Sequence, residues 1–295
     1  MSHVEDEIAS QPWCWTEAAA LAPASRALLP QTGERVAVVG CGTSYNMAQA
    51  YADLREGAGE GLTDAMPASE MRDRRQYDRF LFLSRSGSTT EVLEALAVVP
   101  PGTPTSAITA DASSPLAAHA QSAVVLDFAS EQSIVQTRFA TSLLVLLRAH
   151  LGEDVEPLVN DAHIALGAPL PPGALAARRF TFLGRDWSVG IAYEAALKLR
   201  ESAQAATEAY PAMEFRHGPI SVIDSESVVW SLGPAPADLA ADLTPTGAIF
   251  VVGELDPLAE LVKAQRLAVE LATARHLDPD HPRNLAFSVI LASGQ

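Results

Sequence analysis

Four short runs rich in apolar and β-branched residues punctuate the first half of the chain: Arg35 to Val39, Arg79 to Ser84, Thr105 to Thr109 and Ala123 to Asp127. Stretches of helical periodicity separate them, and this alternation predicts a parallel sheet covered by helices. A strongly helical stretch runs from Thr137 to about Leu151. Pro169-Leu170-Pro171-Pro172-Gly173 then interrupts regular structure, because proline fixes its own φ and offers no N–H. Beyond it the pattern restarts, with strands expected over Arg179 to Leu183, Val228 to Ser231 and Ala248 to Val252 and helices over Ser188 to Ala203 and Pro257 to Ala274. The expected fold class is α/β, with two doubly wound subdomains, each a mainly parallel sheet flanked by helices. The segmentation expected from the pattern is an N-terminal helical segment at 1–30, a first domain at 31–168 and a second at 174–295. The halves echo each other. Val39-Gly40, Ser44 and a helix ending Leu54-Arg55-Glu56 match Leu183-Gly184, Ser188 and a helix ending Leu199-Arg200-Glu201.

Composition narrows the function classes. Hydrophobic residues make up 48% of the 295 and charged residues 19%, enough apolar surface for two ordinary domains. Cys14 and Cys41 cannot supply a disulfide framework, and Met1 to Ser10 lacks the apolar stretch of a signal peptide. A reducing cytoplasmic setting follows as the expectation. No apolar run reaches the roughly 18 residues of a membrane span, so no membrane partner is expected. With 36 acidic against 20 basic residues the formal charge is −16, which repels nucleic acid. The same field disfavours any anionic ligand unless local donors outweigh it.

Two loops supply such donors. Cys41-Gly42-Thr43-Ser44 ends a strand in glycine and hydroxyl residues and enters a helix, whose N-terminal N–H groups favour an anion. An ordinary turn with Ser44 as N-cap fits that segment equally well. Ser84-Arg85-Ser86-Gly87-Ser88-Thr89 follows the next strand and concentrates hydroxyls able to donate to every oxygen of a phosphate monoester. Two such loops at strand C-termini of one sheet fit a ligand crevice better than two capped turns.

In the second half, Glu194, Lys198 and Glu201 share one helix face, the pattern of either a catalytic base with its partners or a solvated salt-bridged stripe. His217, between Arg216 and Gly218-Pro219, carries an imidazole suited to proton shuttling near neutral pH. His3, His119, His150, His163, His276 and His281 show no metal-ligand spacing, so neither a metal nor another cofactor is expected.

From about Arg35 onward these motifs, with Glu131 to Thr141, Glu208-Ala209-Tyr210, Glu214 to Pro219 and Pro282-Arg283-Asn284-Leu285-Ala286, resemble the SIS (sugar isomerase) domain family. The resemblance is strongest to the isomerase part of glucosamine-6-phosphate synthase. It implies that Thr43, Ser44, Ser84, Ser86 and Thr89 bind the phosphate of a hexose or aminohexose phosphate, with Arg85 standing where the synthase usually has glutamine. Cys41, Gly42 and Arg85 complete the expected substrate-binding set. The resemblance further implies that Glu201 carries a proton between sugar C1 and C2. Lys198, on the same helix, is a further catalytic candidate that would supply positive charge near the reacting oxygens. His217 would open the ring, reaching the site from the partner subunit of a homodimer.

Two departures qualify the expected activity. About 30 residues precede the first strand, too few for a glutaminase domain, so glutamine is not expected as nitrogen donor. Where the synthase tail carries a lysine, this chain has Phe287, which removes an amine from the sugar's carbonyl end. The expectation is therefore an aldose/ketose isomerase or aminosugar-phosphate deaminase. The alternatives are a deglycase acting on sugar phosphates joined to amino acids, or a non-catalytic phosphosugar sensor.

Overall fold

The computed structural model describes residues 2–71 and 75–291. Helices α1 (His3–Ala9) and α2 (Gln11–Ser25) open the chain. They lead into β1 (Val36–Gly40), α3 (Thr43–Gly57), β2 (Thr63–Pro67), β3 (Arg79–Leu83), α4 (Thr90–Ala97), β4 (Thr105–Thr109), α5 (Pro115–His119), β5 (Ser122–Val125), α6 (Arg138–His150) and α7 (Glu156–Gly167). A second series comprises β6 (Arg179–Gly184), α8 (Ser188–Ala203), β7 (Ala206–Pro211), β8 (Ser227–Ser231), α9 (Leu239–Leu243), β9 (Ile249–Val252) and α10 (Pro257–Ala274).

The first sheet has the order β2-β1-β3-β4-β5 and the second β7-β6-β8-β9, with all pairings parallel. These are the two doubly wound α/β subdomains expected from the pattern. Strand order reverses between β1 and β3 in one sheet and between β6 and β8 in the other, where such sheets leave a crevice beyond the strand C-termini. Central strands are buried throughout, as all five residues of β1 and of β8 are, which is why they read as continuous apolar runs. Ala37 and Val39 pack with Phe80, Phe82 and Val92 in one core, and Leu183 packs with Phe215, Val229 and Leu239 in the other.

Two strands escape the pattern. β2 and β7 are edge strands, half-buried or exposed along most of their length, and they carry Asp64, Glu208 and terminal prolines. An edge tolerates such residues because one row of backbone groups needs no partner.

By packing, the chain forms two units that are discontinuous in sequence. Trp13–Gln132, Gln136–Val155 and Leu285–Gln295 go with the first sheet, and Met1–Pro12, Ser133–Val135 and Glu156–Asn284 with the second. The linear segmentation at 1–30, 31–168 and 174–295 assigns α1, α7 and the C-terminal tail otherwise. α7 packs on α10 and buries Leu158, Ala162 and Ala165, spaced along one helical stripe. α1 is tied to the second unit by the Asp280 carboxylate, which accepts from the backbone N–H of His3 and Val4, both at 2.8 Å.

The echo between the halves has a packing cause. A Cβ at Gly40 would lie 2.8 Å from the Ser44 carbonyl carbon, and one at Gly184 would lie 2.3 Å from the Ser188 carbonyl oxygen. In each sheet the helix start presses onto the end of the preceding strand, and only glycine admits that approach.

Candidate active site

In the first unit, two loops leave the strands flanking the reversal point. Gly42, at φ +54°, is the N-cap of α3, so Ser44 sits inside the first turn and does not cap it. Thr43 and Ser44 are buried and Cys41 half-buried. Burial pushes the Cys41 thiol pKa up, against a lowering hydrogen bond with the Ala68 backbone and with Glu91 adding to the rise.

After β3, Ser84 to Thr89 fold back on themselves. The N–H of Gly87 donates to Ser84 Oγ at 3.1 Å and that of Ser88 to Ser86 Oγ at 3.3 Å. Gly87 takes φ +58°, and a Cβ there would fall 2.2 Å from Ser114 Oγ. Thr89 is the N-cap residue of α4 but makes no side-chain cap bond, which leaves its hydroxyl to the loop.

Arg85 turns inward. Its Nη1 lies 3.2 Å from Glu131 Oε2, with 3% and 0% of the two side chains exposed. Glu131 also accepts from the backbone N–H and hydroxyl of Thr137, at 2.6 and 3.0 Å, where α6 begins. The arginine's charge is thus met by a buried carboxylate, and the remaining donors of the loop are neutral.

The C-terminal tail belongs to the same unit. Arg85 Nη2 donates to the Phe287 carbonyl at 2.9 Å, and its Cζ stands 3.7 Å from the Phe287 ring centroid. Ser288 Oγ lies 3.1 Å from Ser86 Oγ, 3.1 Å from Ser88 Oγ and 3.4 Å from Thr89 Oγ1. A hollow of about 30 Å³ brings together Cys41, Ser44, Ser84, Arg85, Ser86 and Thr89 of the expected residues, with Gln136 and Phe287 completing its wall. Gly42 and Thr43 shape the approach but do not line it. The Gln136 side-chain oxygen is buried without a hydrogen-bond partner. Hollows of about 450 and 690 Å³ lie by the starts of β4 and of β6 and β7, and neither is lined by the glycine-hydroxyl loops.

In the second unit, α8 presents the expected charged face, and it is not a solvated stripe. Lys198 Nζ is 3.2 Å from Glu194 Oε1 and 2.6 Å from Glu201 Oε2. Exposure is 1% for the lysine and for Glu194, and 19% for Glu201. Burial works against the lysine's charge, but the two carboxylates outweigh it and hold its pKa above the ordinary value. Glu201 is therefore the member of the triad that meets solvent. His217 is exposed at the end of a short 3-10 turn, Glu214–His217, stiffened by Arg216, whose Nε donates to Asp242 at 2.5 Å. Among the described residues no cluster of three or more His, Cys, Asp and Glu side chains has metal-binding geometry. Among them also, no helix is long and apolar enough to cross a membrane.

The functional residues that the sequence pattern missed are Glu131 in its pairing with Arg85, and Ser288. Glu131 lay within a legible motif, whereas nothing adjacent to Ser288 in sequence signals its partners some 200 positions earlier.

Fold and loops together define a doubly wound α/β protein with a hydroxyl-lined hollow beside the strand-order reversal. Residues 30–150 match the SIS domain. The chain is 28% identical over 312 residues to glutamine–fructose-6-phosphate aminotransferase (isomerizing) of Campylobacter jejuni, covering 87% of this chain and 51% of that protein. The chain spans about half the length of the curated relatives it matches over most of its own length. Among solved structures, glucosamine-6-phosphate deaminase from Thermotoga maritima superposes with a TM-score of 0.81 at 26% identity, covering 98% of this chain and 100% of that one. Tagatose-6-phosphate ketose/aldose isomerase from Escherichia coli gives 0.80 at 19% identity over 96% and 97%, a likeness of fold.

Proposed function

We propose that the chain is a hexose or aminohexose 6-phosphate enzyme that moves a proton between C1 and C2, as an aldose/ketose isomerase or as a deaminase. The carrying observation is the α8 triad. Glu201 reaches solvent while the Lys198 ammonium, buried behind it, stands 2.6 Å from its Oε2 as an ion pair. In this reading the Ser84 to Thr89 loop and Ser44 hold the phosphate with neutral donors. His217, from the partner subunit of a homodimer, passes the ring-opening proton. Glu201 takes the C2 proton of the open-chain aldose and returns it to C1 while the O2 hydroxyl proton passes to O1, leaving the carbonyl at C2. For an aminosugar the same transfer gives a C2 imine, which water converts to ketose and ammonia. Lys198 is then a positioning residue and touches no substrate. Likeness to the Thermotoga maritima deaminase supports the deaminase branch.

One observation favours a second reading, a deglycase. The Phe287 ring, 42% exposed above Arg85, offers an apolar surface to an amino-acid substituent. The test is a panel of hexose, hexosamine, N-acetylhexosamine and amino-acid-linked hexose 6-phosphates, followed for isomerisation and for ammonia or amino-acid release. Turnover of a member that disappears in Glu201→Gln with binding retained supports the reading, and equal turnover in that variant overturns it.

A further inference from the structure

We infer that the C-terminal tail is an internal occupant of the phosphate cradle, with Ser288 standing where a phosphate oxygen binds, so that tail and phosphosugar compete. The inference rests on the cradle reading above and adds its regulation. Ser288 Oγ is within 3.4 Å of three loop hydroxyls at once, those of Ser86, Ser88 and Thr89. That is the position of a bound oxygen at the centre of the donors.

The main chain repeats the arrangement. Val289 carbonyl oxygen accepts from the N–H of Thr90 at 3.1 Å, the first residue of α4, and the N–H of Leu291 donates to Thr90 Oγ1 at 2.9 Å. A helix-start N–H of the kind that attracts anions is thereby engaged by the tail. Arg85 latches the segment through the Phe287 carbonyl at 2.9 Å and ring at 3.7 Å. The hollow left beside the tail measures about 30 Å³, room for on the order of two waters. Arginine at 85 and phenylalanine at 287 act together here, because a neutral side chain at 85 or a lysine at 287 removes the cation–π contact.

Competition has a signed consequence. When only the tail-out state binds phosphate, the apparent Kd is the intrinsic value divided by the tail-out fraction. Weakening the tail therefore tightens ligand binding. Titration calorimetry of the full chain with inorganic phosphate and with glucose 6-phosphate is expected to show about fivefold tighter binding in Ser288→Ala, the worth of roughly one hydrogen bond. Phe287→Ala, which removes no hydrogen-bond donor of the Ser84 to Thr89 loop, is expected to shift affinity the same way. Hydrogen exchange of the peptide 285–291 in the wild type is expected to speed up as ligand is added.

Weaker binding in both variants, or tail amides that gain protection with ligand, overturns the inference and makes the tail a wall of the site, with the cradle reading intact. Absence of binding by the wild type and both variants removes the cradle reading and the inference together.

Discussion

Lys198 and Glu201, three residues apart on α8, form a 2.6 Å ion pair whose two ends differ in exposure, 1% against 19%. The lysine is enclosed and the carboxylate is presented. Removing the lysine and neutralising the carboxylates therefore have different consequences. Lys198→Met breaks a buried pair and is expected to cost about 3–5 kcal/mol, read by urea denaturation. Adding Glu194→Gln is expected to recover much of that stability without recovering turnover, because Glu201 still lacks its positioning partner.

The raised pKa of Lys198 sets a pH window. Burial opposes its charge, Glu194 and Glu201 outweigh burial, and the folded value lies above the ordinary 10.5. A group raised on folding contributes stability that is complete below its unfolded pKa and is lost as pH rises through its folded pKa. The Lys198 contribution is thus flat between about pH 6 and pH 9 and declines only in stronger alkali. Denaturation midpoints of wild type and Lys198→Met across that range are expected to keep a constant difference, and a difference shrinking below pH 9 would contradict the assignment.

The cradle predicts a split in kinetic constants. Ser86→Ala and Thr89→Ala each remove a neutral donor from bound phosphate, worth about 1 kcal/mol, and are expected to raise KM about fivefold while kcat holds. An unchanged KM for every phosphorylated substrate would place phosphate recognition elsewhere.

Gly40 and Gly57, at the strand end before α3 and at the last turn of that helix, should respond oppositely to alanine. At Gly40 the new methyl meets the Ser44 carbonyl carbon at 2.8 Å, whereas at Gly57 nothing lies within 4 Å. Gly40→Ala is expected to destabilise by about 1–3 kcal/mol, and Gly57→Ala to stabilise by roughly half to one. Thermal melts of the two variants check both signs.

Cys41 is expected to be a slow thiol. Burial, opposed by the Ala68 backbone bond and reinforced by Glu91, keeps its pKa above the ordinary 9.0. Since thiolate is the reactive form, native-state alkylation near pH 8 should lag behind a free cysteine and accelerate on unfolding.

The sequence carried much of this fold because its central elements are patterned on both sides. α8 and α10 were legible to approximate bounds that the structure matches, Ser188–Ala203 and Pro257–Ala274. β4 was equally clear as a fully buried run. β2 and β7 were not, because an edge strand needs no continuous apolar face. The cradle loops could be read from hydroxyl and glycine content. The partners Glu131 and Ser288 could not, because pairing with Arg85 and Ser86 depends on packing at long range. The α8 face was ambiguous between a solvated stripe and a catalytic base. Burial of Lys198 and Glu194 excludes the solvated stripe, and burial is invisible in a helical spacing.

The shared strand order gives each sheet a turn at the same station, after β3 in one and after β8 in the other. The first turn is Ser84-Arg85-Ser86-Gly87-Ser88-Thr89 and the second is Leu232-Gly233-Pro234-Ala235-Pro236. Proline has no N–H to offer, so the second turn has lost donors at two of its positions, along with any hydroxyl side chain. At this station the first sheet presents hydroxyl side chains and backbone N–H groups, and the second presents neither hydroxyls nor, at its two prolines, N–H groups.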